Sequence, residues 1–374
     1  YFRRDCFFVS NNIVFLCQPS TAHDYWTYNI LAGIKDEASS QGASTKKICN
    51  TKEIINAKNL TYILLIGHSI SWFEQMFSLL EKHEITPIVV SAYKTTDEYH
   101  SGVFFSMTLA FEQLIEYLIS LGKKNIAFVG LNPDSPADVA KSETFVKITK
   151  EHGLKNCKLL PCENITMKNC INKLITHIES FDAVMCANDP VAIFVITQLK
   201  ASGIDFSKNL LITGSGNLRL TETFHMPITS INLDYYKLGI EAAKLFLQKE
   251  KSDPRIRQQV FLPCDIVVRK SNQAFEPPEF VENINTDIFL PNEVKLYYQN
   301  PEISYCNKIE TLLQQCDKWD LEIINGLLKN QTYTELSTNI HFTERAIKYR
   351  MKRICELANV QTKRELFELL TRFN

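Results

Sequence analysis

A chain of 374 residues is longer than one core of ordinary size accommodates, so two or more domains are expected. Hydrophobic residues make up 45% and charged residues 22%, the composition of an ordinary soluble globular protein. The formal net charge of −1 excludes a globally basic nucleic-acid-binding field, so any such surface has to be local.

At the start of the chain Arg3 and Arg4 precede the apolar run Ile13-Val14-Phe15-Leu16-Cys17, which is too short for a signal peptide and reads as a buried strand. No stretch reaches the length of a membrane-spanning helix, and no membrane partner is expected. The eleven cysteines form no C-x-x-C pair. Their odd number, with Cys17 and Cys186 inside apolar runs, points to free thiols in a reducing cytoplasm rather than to disulfides or structural zinc.

From Asn12 to about Lys270 short apolar runs alternate with helical periodicity. Ile13–Cys17, Tyr62–Ile66, Ile85–Ala92, Asn125–Gly130, Asp182–Ala187 and Leu210–Gly214 read as buried parallel strands. Between them Trp26, Ile30, Ile34 and Ala38 recur at helical spacing. So do Ala192, Val195, Ile196 and Leu199, and then Leu238, Ala242, Leu245 and Phe246. The alternation predicts an α/β architecture with helices on both faces of parallel sheet. Periodicity leaves open whether the units form two half-size sheets or one large one. Glu276-Pro277-Pro278-Glu279, Pro291 and Pro301 then break regular structure, which predicts a linker over 271–303. The expected division is a ligand-sensing domain over 1–270, the linker, and an all-helical segment and module over 304–374.

Four helices are predicted in the tail after a segment holding Ile309, Leu312, Leu313 and Cys316. That segment suits either a dimer or coupling helix, or packing against the preceding domain. The first helix covers about Lys318–Lys329, with Trp319, Ile323, Leu327 and Leu328 on one side. The second starts at the capping box Thr332-x-x-Glu335, the third follows Thr343 and runs to about Leu357, and the fourth opens at a second box, Thr362-x-x-Glu365. The second and third, joined by Asn339–Phe342, have a helix-turn-helix layout. On the third, Ile347, Met351, Ile354 and Ala358 form a core stripe, while Arg345, Lys348, Tyr349 and Lys352 form another, flanked by Arg350 and Arg353. Basic charge there supplies what phosphate contacts and guanine edges need. The plain alternative is a solvated amphipathic helix.

Asn330-Gln331-Thr332-Tyr333-Thr334-Glu335-Leu336-Ser337, Ile340-His341-Phe342-Thr343 and Ala346-Ile347-Lys348, with Ile354, Leu357, Val360 and Arg364, resemble the LuxR-type (GerE-like) helix-turn-helix. The resemblance covers about the last 58 residues and implies double-stranded DNA as partner, with Lys348, Tyr349 and Lys352 near bases and phosphates. It departs at Asn330, where that family usually has glycine, and at Arg350, where it usually has histidine.

Upstream, Cys186-Ala187-Asn188-Asp189-Pro190-Val191-Ala192, Leu199-Lys200-Ala201-Ser202-Gly203-Ile204, Leu210–Gly214, Ile228–Ile231 and the run Leu118–Gly130 resemble the LacI/GalR-type sensor, a relative of periplasmic binding proteins. That resemblance implies a two-lobed, periplasmic-binding-protein-like (type I) fold with a small molecule held in a cleft. It places Tyr25 and Trp26 at an aromatic pair able to stack on a ring, Asn188 at a polar contact, and Lys141 where an arginine is frequent. Ser106 and Gly216 stand where that family usually offers aspartates, so a sugar is a weaker expectation and an unusual ligand, or none, stays open. Each residue also has a plainer reading: Asn188 and Asp189 as a helix cap, Tyr25 and Trp26 as packing. LacI-type regulators carry their DNA-binding helices ahead of the sensor, so the tail module is expected to take that place. An AraC-type tail would need two helix-turn-helix units, and one is found.

The leading expectation is a dimeric, ligand-responsive bacterial transcription regulator. The alternative is a cytoplasmic solute-binding protein whose tail is a protein-interaction module. An enzyme is not expected, since there is no Gly-rich phosphate loop, G-x-S-x-G or H-E-x-x-H. No metal site or cofactor is expected either.

Overall fold

The computed structural model describes residues 12–22, 24–56, 60–92, 100–133, 135–160, 167–206, 210–224, 226, 228–253, 255–269 and 301–371. The chain divides into two compact units. One comprises Tyr1–Lys123, Leu131–Lys155 and Ile231–Ile266; the other comprises Lys124–Gly130, Asn156–Ser230 and Val267–Asn374.

The first six-stranded sheet holds β1 (Asn12–Cys17), β2 (Ser44–Ile48), β3 (Tyr62–Ile66), β4 (Thr86–Val90), β5 (Ser101–Phe105) and β11 (Gln259–Leu262), in the order β11-β5-β4-β3-β1-β2. Every neighbouring pair in it is parallel. Strands β3 and β5 are buried along their whole length, and the residues of β1 after Asn12 are buried too. A parallel strand covered on both faces has no polar side to show, hence the unbroken runs. A core of Val14, Leu16, Ile63, Leu65, Phe73, Val89 and Phe104 lies on one face.

Helix α1 (Tyr25–Ser40) packs against α9 (Tyr235–Lys249). Two glycines permit the approach: a Cβ at Gly33 would overlap the Tyr236 carbonyl oxygen, and one at Gly239 would overlap the Ile30 carbonyl oxygen. Both obstacles are backbone and cannot swing aside. The same unit contains α2 (Thr51–Ile55), α3 (Ile70–Glu81), α4 (Met107–Ser120) and α5 (Pro136–Glu151).

The second six-stranded sheet holds β6 (Ile126–Val129), β7 (Lys158–Leu160), β8 (Ala183–Cys186), β9 (Leu211–Gly216), β10 (Thr229–Asn232) and β12 (Asp265–Val267), in the order β12-β10-β9-β8-β6-β7. Two sheets therefore settle the choice that periodicity left open, giving the α/β, periplasmic-binding-protein-like fold. With this sheet belong α6 (Met167–Thr176), α7 (Asp189–Ala201) and the short α8 (Arg219–Thr223). Helix α7 buries every residue from Asp189 to Ile196, so its apolar residues run all round the helix instead of along one stripe.

The tail belongs to the same unit. It consists of α10 (Pro301–Gln314), α11 (Lys318–Leu328), α12 (Tyr333–Ile340), α13 (Glu344–Ala358) and α14 (Lys363–Leu370). Most of the expected 271–303 linker lies outside the described residues, while 301–303 form the first turn of α10. Asn330 takes φ 56° just beyond α11, the left-handed conformation for which glycine is usual; asparagine also tolerates it. The departure from the LuxR-type pattern there therefore preserves the turn. His341 (φ 56°) ends α12 and Asn359 (φ 54°) ends α13 in the same way. The Thr332–Glu335 capping box forms in full. The second box forms by half: Thr362 accepts from the Glu365 N–H, but the Glu365 carboxylate takes the N–H of Gln361.

Substituting Gly33→Ala or Gly239→Ala is expected to lower unfolding stability by about 1–3 kcal/mol, read from the urea midpoint at unchanged slope, because a helix must move to admit each methyl. Gly153→Ala, at an open surface position, is the comparison; its φ of 65° limits it to a smaller backbone penalty.

Candidate effector residues and nucleic-acid interface

Of the six sequence-predicted effector residues, Tyr25, Trp26, Ser106 and Lys141 fall in the first unit, and Asn188 and Gly216 in the second. Tyr25 and Trp26 join one aromatic cluster. Tyr25 meets Tyr235 edge-on at 6.0 Å, and Trp26 lies 5.9 Å from His68 and 6.1 Å from Tyr235, itself 5.4 Å from Phe105. Tyr25 is buried within this cluster and Trp26 is half-buried. His68, Tyr235 and Phe105 escaped the sequence reading because they are distant in the chain. The Gln18 side-chain oxygen accepts the N–H groups of His68 (3.0 Å) and Ser69 (3.1 Å), fixing the entry to α3.

Asp24 occupies the N-cap position of α1 but does not cap it; its carboxylate accepts the Trp26 indole N–H at 3.2 Å. Burial lifts this carboxyl to about 6, with the indole hydrogen bond acting in the opposite direction.

Lys141 meets an arrangement that competes with ligand contact. It is 6% exposed, its Nζ lies 2.9 Å from Asp138 Oδ1, and it sits 5.2 Å from the centroid of the Phe111 ring. Asp138 in turn accepts the Asn132 N–H at 3.0 Å. Ser106 precedes α4, and its backbone N–H donates to the Leu262 carbonyl at 2.8 Å.

In the second unit Asn188 caps α7 through the Val191 N–H at 3.0 Å, the plainer of its two readings. Gly216, with φ 128°, closes β9 and leads into Asn217, with φ 49°. The next residue is held from α7: fully buried Asp189 accepts the Leu218 N–H (2.9 Å) and the Ser230 hydroxyl (2.7 Å). Burial pushes the Asp189 carboxyl up, while Ser230 and Leu218 pull it back. Arg269 ties the same loop down, donating to Asn217 Oδ1 at 2.7 Å and to the Ile228 carbonyl at 3.0 Å.

In the tail, α13 buries Ile347, Met351, Ile354 and Ala358 as its stripe required. Arg345, Lys348, Tyr349 and Lys352 are exposed, Tyr349 to 74%. Lys348 and Lys352 have only loose partners on their own helix, Glu344 at 3.6 Å and Glu356 at 3.9 Å. Arg350 and Arg353 behave differently from the other four. Arg350 Nη1 lies 2.8 Å from Asp317 Oδ2 and 2.8 Å from Asp320 Oδ1, and Arg353 pairs with Asp320. Both arginines pin α13 to the start of α11, which sets them apart from the other four residues of the sequence-predicted DNA-contact group. At the other departure from the LuxR-type pattern, Arg350 thus takes a structural partner.

Asp320 is fully buried and completes a capping box with Asp317, which the sequence reading missed. The buried face of α11 is Asp320, Ile323, Ile324 and Leu327 rather than one including Trp319, which is 36% exposed and lies tilted against Phe342 with ring centroids 4.9 Å apart. Thr334 donates to Glu344 at 2.7 Å and Ser337 to the Phe342 carbonyl at 2.5 Å, setting the angle between α12 and α13. Lys363 joins Lys348 beside the Tyr333 ring, at 4.8 and 5.5 Å from its centroid. This extends the basic surface beyond α13, and nothing in the sequence signalled it. Among the described residues, no group of three His, Cys, Asp or Glu could hold a metal ion, the nine described cysteines are free thiols, and no helix is long and apolar enough to cross a membrane.

Residues 115–272 match the periplasmic binding protein-like domain family. The chain is 28% identical over 229 residues to catabolite control protein A of Staphylococcus epidermidis, covering 59% of this chain and 68% of that protein. It is 25% identical over 236 residues to the HTH-type transcriptional repressor PurR of Pasteurella multocida, covering 61% and 69%. Among solved structures, a LacI family transcriptional regulator from Enterococcus faecium with bound ribose superposes with a TM-score of 0.57 at 19% identity, covering 69% of this chain and 98% of that one. The fold is the one seen in a LacI family transcriptional regulator.

Two outcomes follow from this geometry. Asp320→Asn is expected to destabilise the tail by about 2–3 kcal/mol, below the range for a fully buried pair because Arg353 is partly solvated. Lys348→Ala and Lys352→Ala stay within about 0.5 kcal/mol of wild type. Thermal unfolding of the three variants separates them. Separately, Trp26 fluorescence should titrate with a midpoint near 6 and lose that transition in Asp24→Asn. Between the ordinary value of 3.8 and about 6 the folded state retains a proton that the unfolded chain releases, so the Asp24 contribution to stability falls as pH rises through that window. Asp24→Asn therefore gains stability relative to wild type above pH 6 and not below 4.

Proposed function

We propose that this protein is a ligand-responsive transcription regulator in which the periplasmic-binding-protein-like domain senses a small molecule and the C-terminal helix-turn-helix binds operator DNA. The observation that carries the reading is the exposed face of α13. Arg345, Lys348, Tyr349 and Lys352 face solvent on the second helix of a capped helix pair, while the opposite stripe of the same helix is buried. Lysines with loose partners are free to exchange them for phosphate oxygens, releasing condensed counterions as they do so. Tyr349, at the centre of the face, supplies an aromatic ring and a hydroxyl to a base edge. Lys363 adds a further cation alongside.

The regulator role is supported by the relatives, one a transcriptional repressor and the other a catabolite control protein. The Enterococcus faecium protein carries ribose, and a ring-shaped effector suits the exposed part of Trp26 in its aromatic cluster. With Ser106 in place of a carboxylate, recognition of the effector in the first unit rests more on ring stacking than on an acidic group gripping hydroxyls. Two copies acting as a homodimer fit the reading of a two-fold operator.

Binding of the full chain to random-sequence duplex DNA, followed by fluorescence anisotropy at two salt concentrations, tests the reading. Wild type should bind with salt-sensitive affinity. The Lys348→Ala/Lys352→Ala variant should bind more weakly, with the slope of log K against log salt reduced by about 1–2. Absence of binding at low salt, or indifference to the two lysines, would transfer the tail to the role of a protein-interaction module.

A further inference from the structure

Helix α10 packs on α7, α8 and α13. Its inner face buries Ile303, Cys306, Ile309, Leu312 and Leu313, and among them sits a carboxylate, Glu310, with no exposure to solvent. A bare carboxylate at an apolar helix contact would be strongly unfavourable. Here Glu310 accepts the backbone N–H of Arg219 at 3.0 Å and of Leu220 at 2.8 Å, and the Gln314 amide at 2.6 Å. The arrangement is reciprocal. The Arg219 guanidinium reaches back to the C-terminal end of α10 and donates to the carbonyls of Leu313 (3.0 Å), in its last turn, and of Cys316 (3.2 Å), just beyond it. Each helix thus satisfies backbone groups that the other leaves unpaired at its end.

We infer that this Glu310–Arg219 exchange is a latch that fixes the helical tail to the second unit, so that the basic face of α13 moves with the segment Gly216–Leu220 rather than on a free tether. Both ends of the latch continue into further contacts. On one side Leu218, immediately before Arg219, is held by Asp189, and Asn217 by Arg269. On the other side α10 ends at Gln314, and Cys316, two residues on, adjoins Asp317 and lies four residues before Asp320, the two carboxylates that grip Arg350 and Arg353 of α13. Arg353 also donates to the Gln315 carbonyl at 3.3 Å. A shift of the Gly216–Leu218 loop therefore reaches α13 through hydrogen bonds and packed backbone alone. The regulatory meaning of the latch rests on the DNA-binding reading; its existence does not.

Buried thiols report on it without any ligand. Cys306 lies one turn before Glu310 on the inner face of α10 and is 1% exposed, while Cys170 and Cys186, in the α6 and β8 core of the same unit, are 0% and 1% exposed. The full chain is pulsed with iodoacetamide under native conditions, and labelling at each cysteine is followed by peptide mass spectrometry in wild type, Glu310→Gln and Arg219→Ala. Glu310→Gln turns an amide N–H₂ toward a backbone donor, and Arg219→Ala removes the bonds to the two carbonyls. Either change should raise Cys306 labelling at least about tenfold while Cys170 and Cys186 stay at the wild-type rate. Unchanged Cys306 labelling in both variants overturns the latch. An equal rise at all three cysteines overturns it as well, because the tail would then open only together with the unit's core. Since no DNA is present, this outcome is independent of the lysine-pair experiment, and either reading is able to fail alone.

Discussion

Asp189, Glu310 and Asp320 are all fully buried, and the second unit is organised around how each carboxylate is satisfied. Removing an ionised carboxylate from water is so unfavourable that it is tolerated only where donors are already in place. Asp189 uses a backbone N–H and a hydroxyl, Glu310 two consecutive backbone N–H groups and an amide, and Asp320 two guanidinium groups and the Asp317 N–H. Such groups add little net stability over a well-packed apolar residue, but they tolerate few geometries, since any displaced arrangement strands a charge. Apolar contacts alone would hold α10 against α7 and α8 over a range of offsets. The carboxylate selects one.

Placement of the carboxylates turns that constraint into a continuous route. Asp189 starts α7 and holds the residue before α8, Glu310 holds α8 from α10, and Asp320, in the first turn of α11, holds α13. No link needs a long-range field. Each is a hydrogen bond between elements adjacent in space, and rigid helices span the intervals. A helical module joined only by the segment before Pro301 would keep its own internal contacts yet carry no information from the sheet it follows. The buried acidic residues supply that connection in this unit.

Much of the architecture was legible in the sequence because fully covered parallel strands leave an unbroken apolar signature, as at Tyr62–Ile66 and Ala183–Cys186. The strands that went unread lack it for physical reasons. Ser44–Ile48 and Lys158–Leu160 lie at sheet edges, where one side faces water and lysines are accommodated, and Ser101–Phe105 begins with two small residues. The tail helices were legible from local chemistry, since Thr332, Thr343 and Thr362 each accept an N–H three residues ahead. The latch was not legible, because it pairs residues about 90 positions apart. A lone glutamate among apolar neighbours in Ile303–Leu313 was the one available clue, and the reading of that segment as a dimer, coupling or packing helix left it unused. Likewise, the cluster around Trp26 assembles from α1, His68, Phe105 and the start of α9, which no local pattern relates.

The basic residues of α13 show how one helix serves two needs with different side chains. Arg350 and Arg353 point toward α11, where a planar guanidinium with several fixed donors bridges the two carboxylates of a capping box. Lys348 and Lys352 face outward, where a compact ammonium on a flexible stem adjusts to whatever anion approaches. Exchanging the types would fail on both sides: lysine at 350 offers a single centre to two carboxylates, and a bidentate arginine at 348 would find its carboxylate partner in Glu344, four residues back on the same face. Residues 344–358 hold five basic and two acidic side chains, and this net +3 divides into a part neutralised internally and a part left available. The available part faces solvent, and the neutralised part fixes the angle at which α13 presents it.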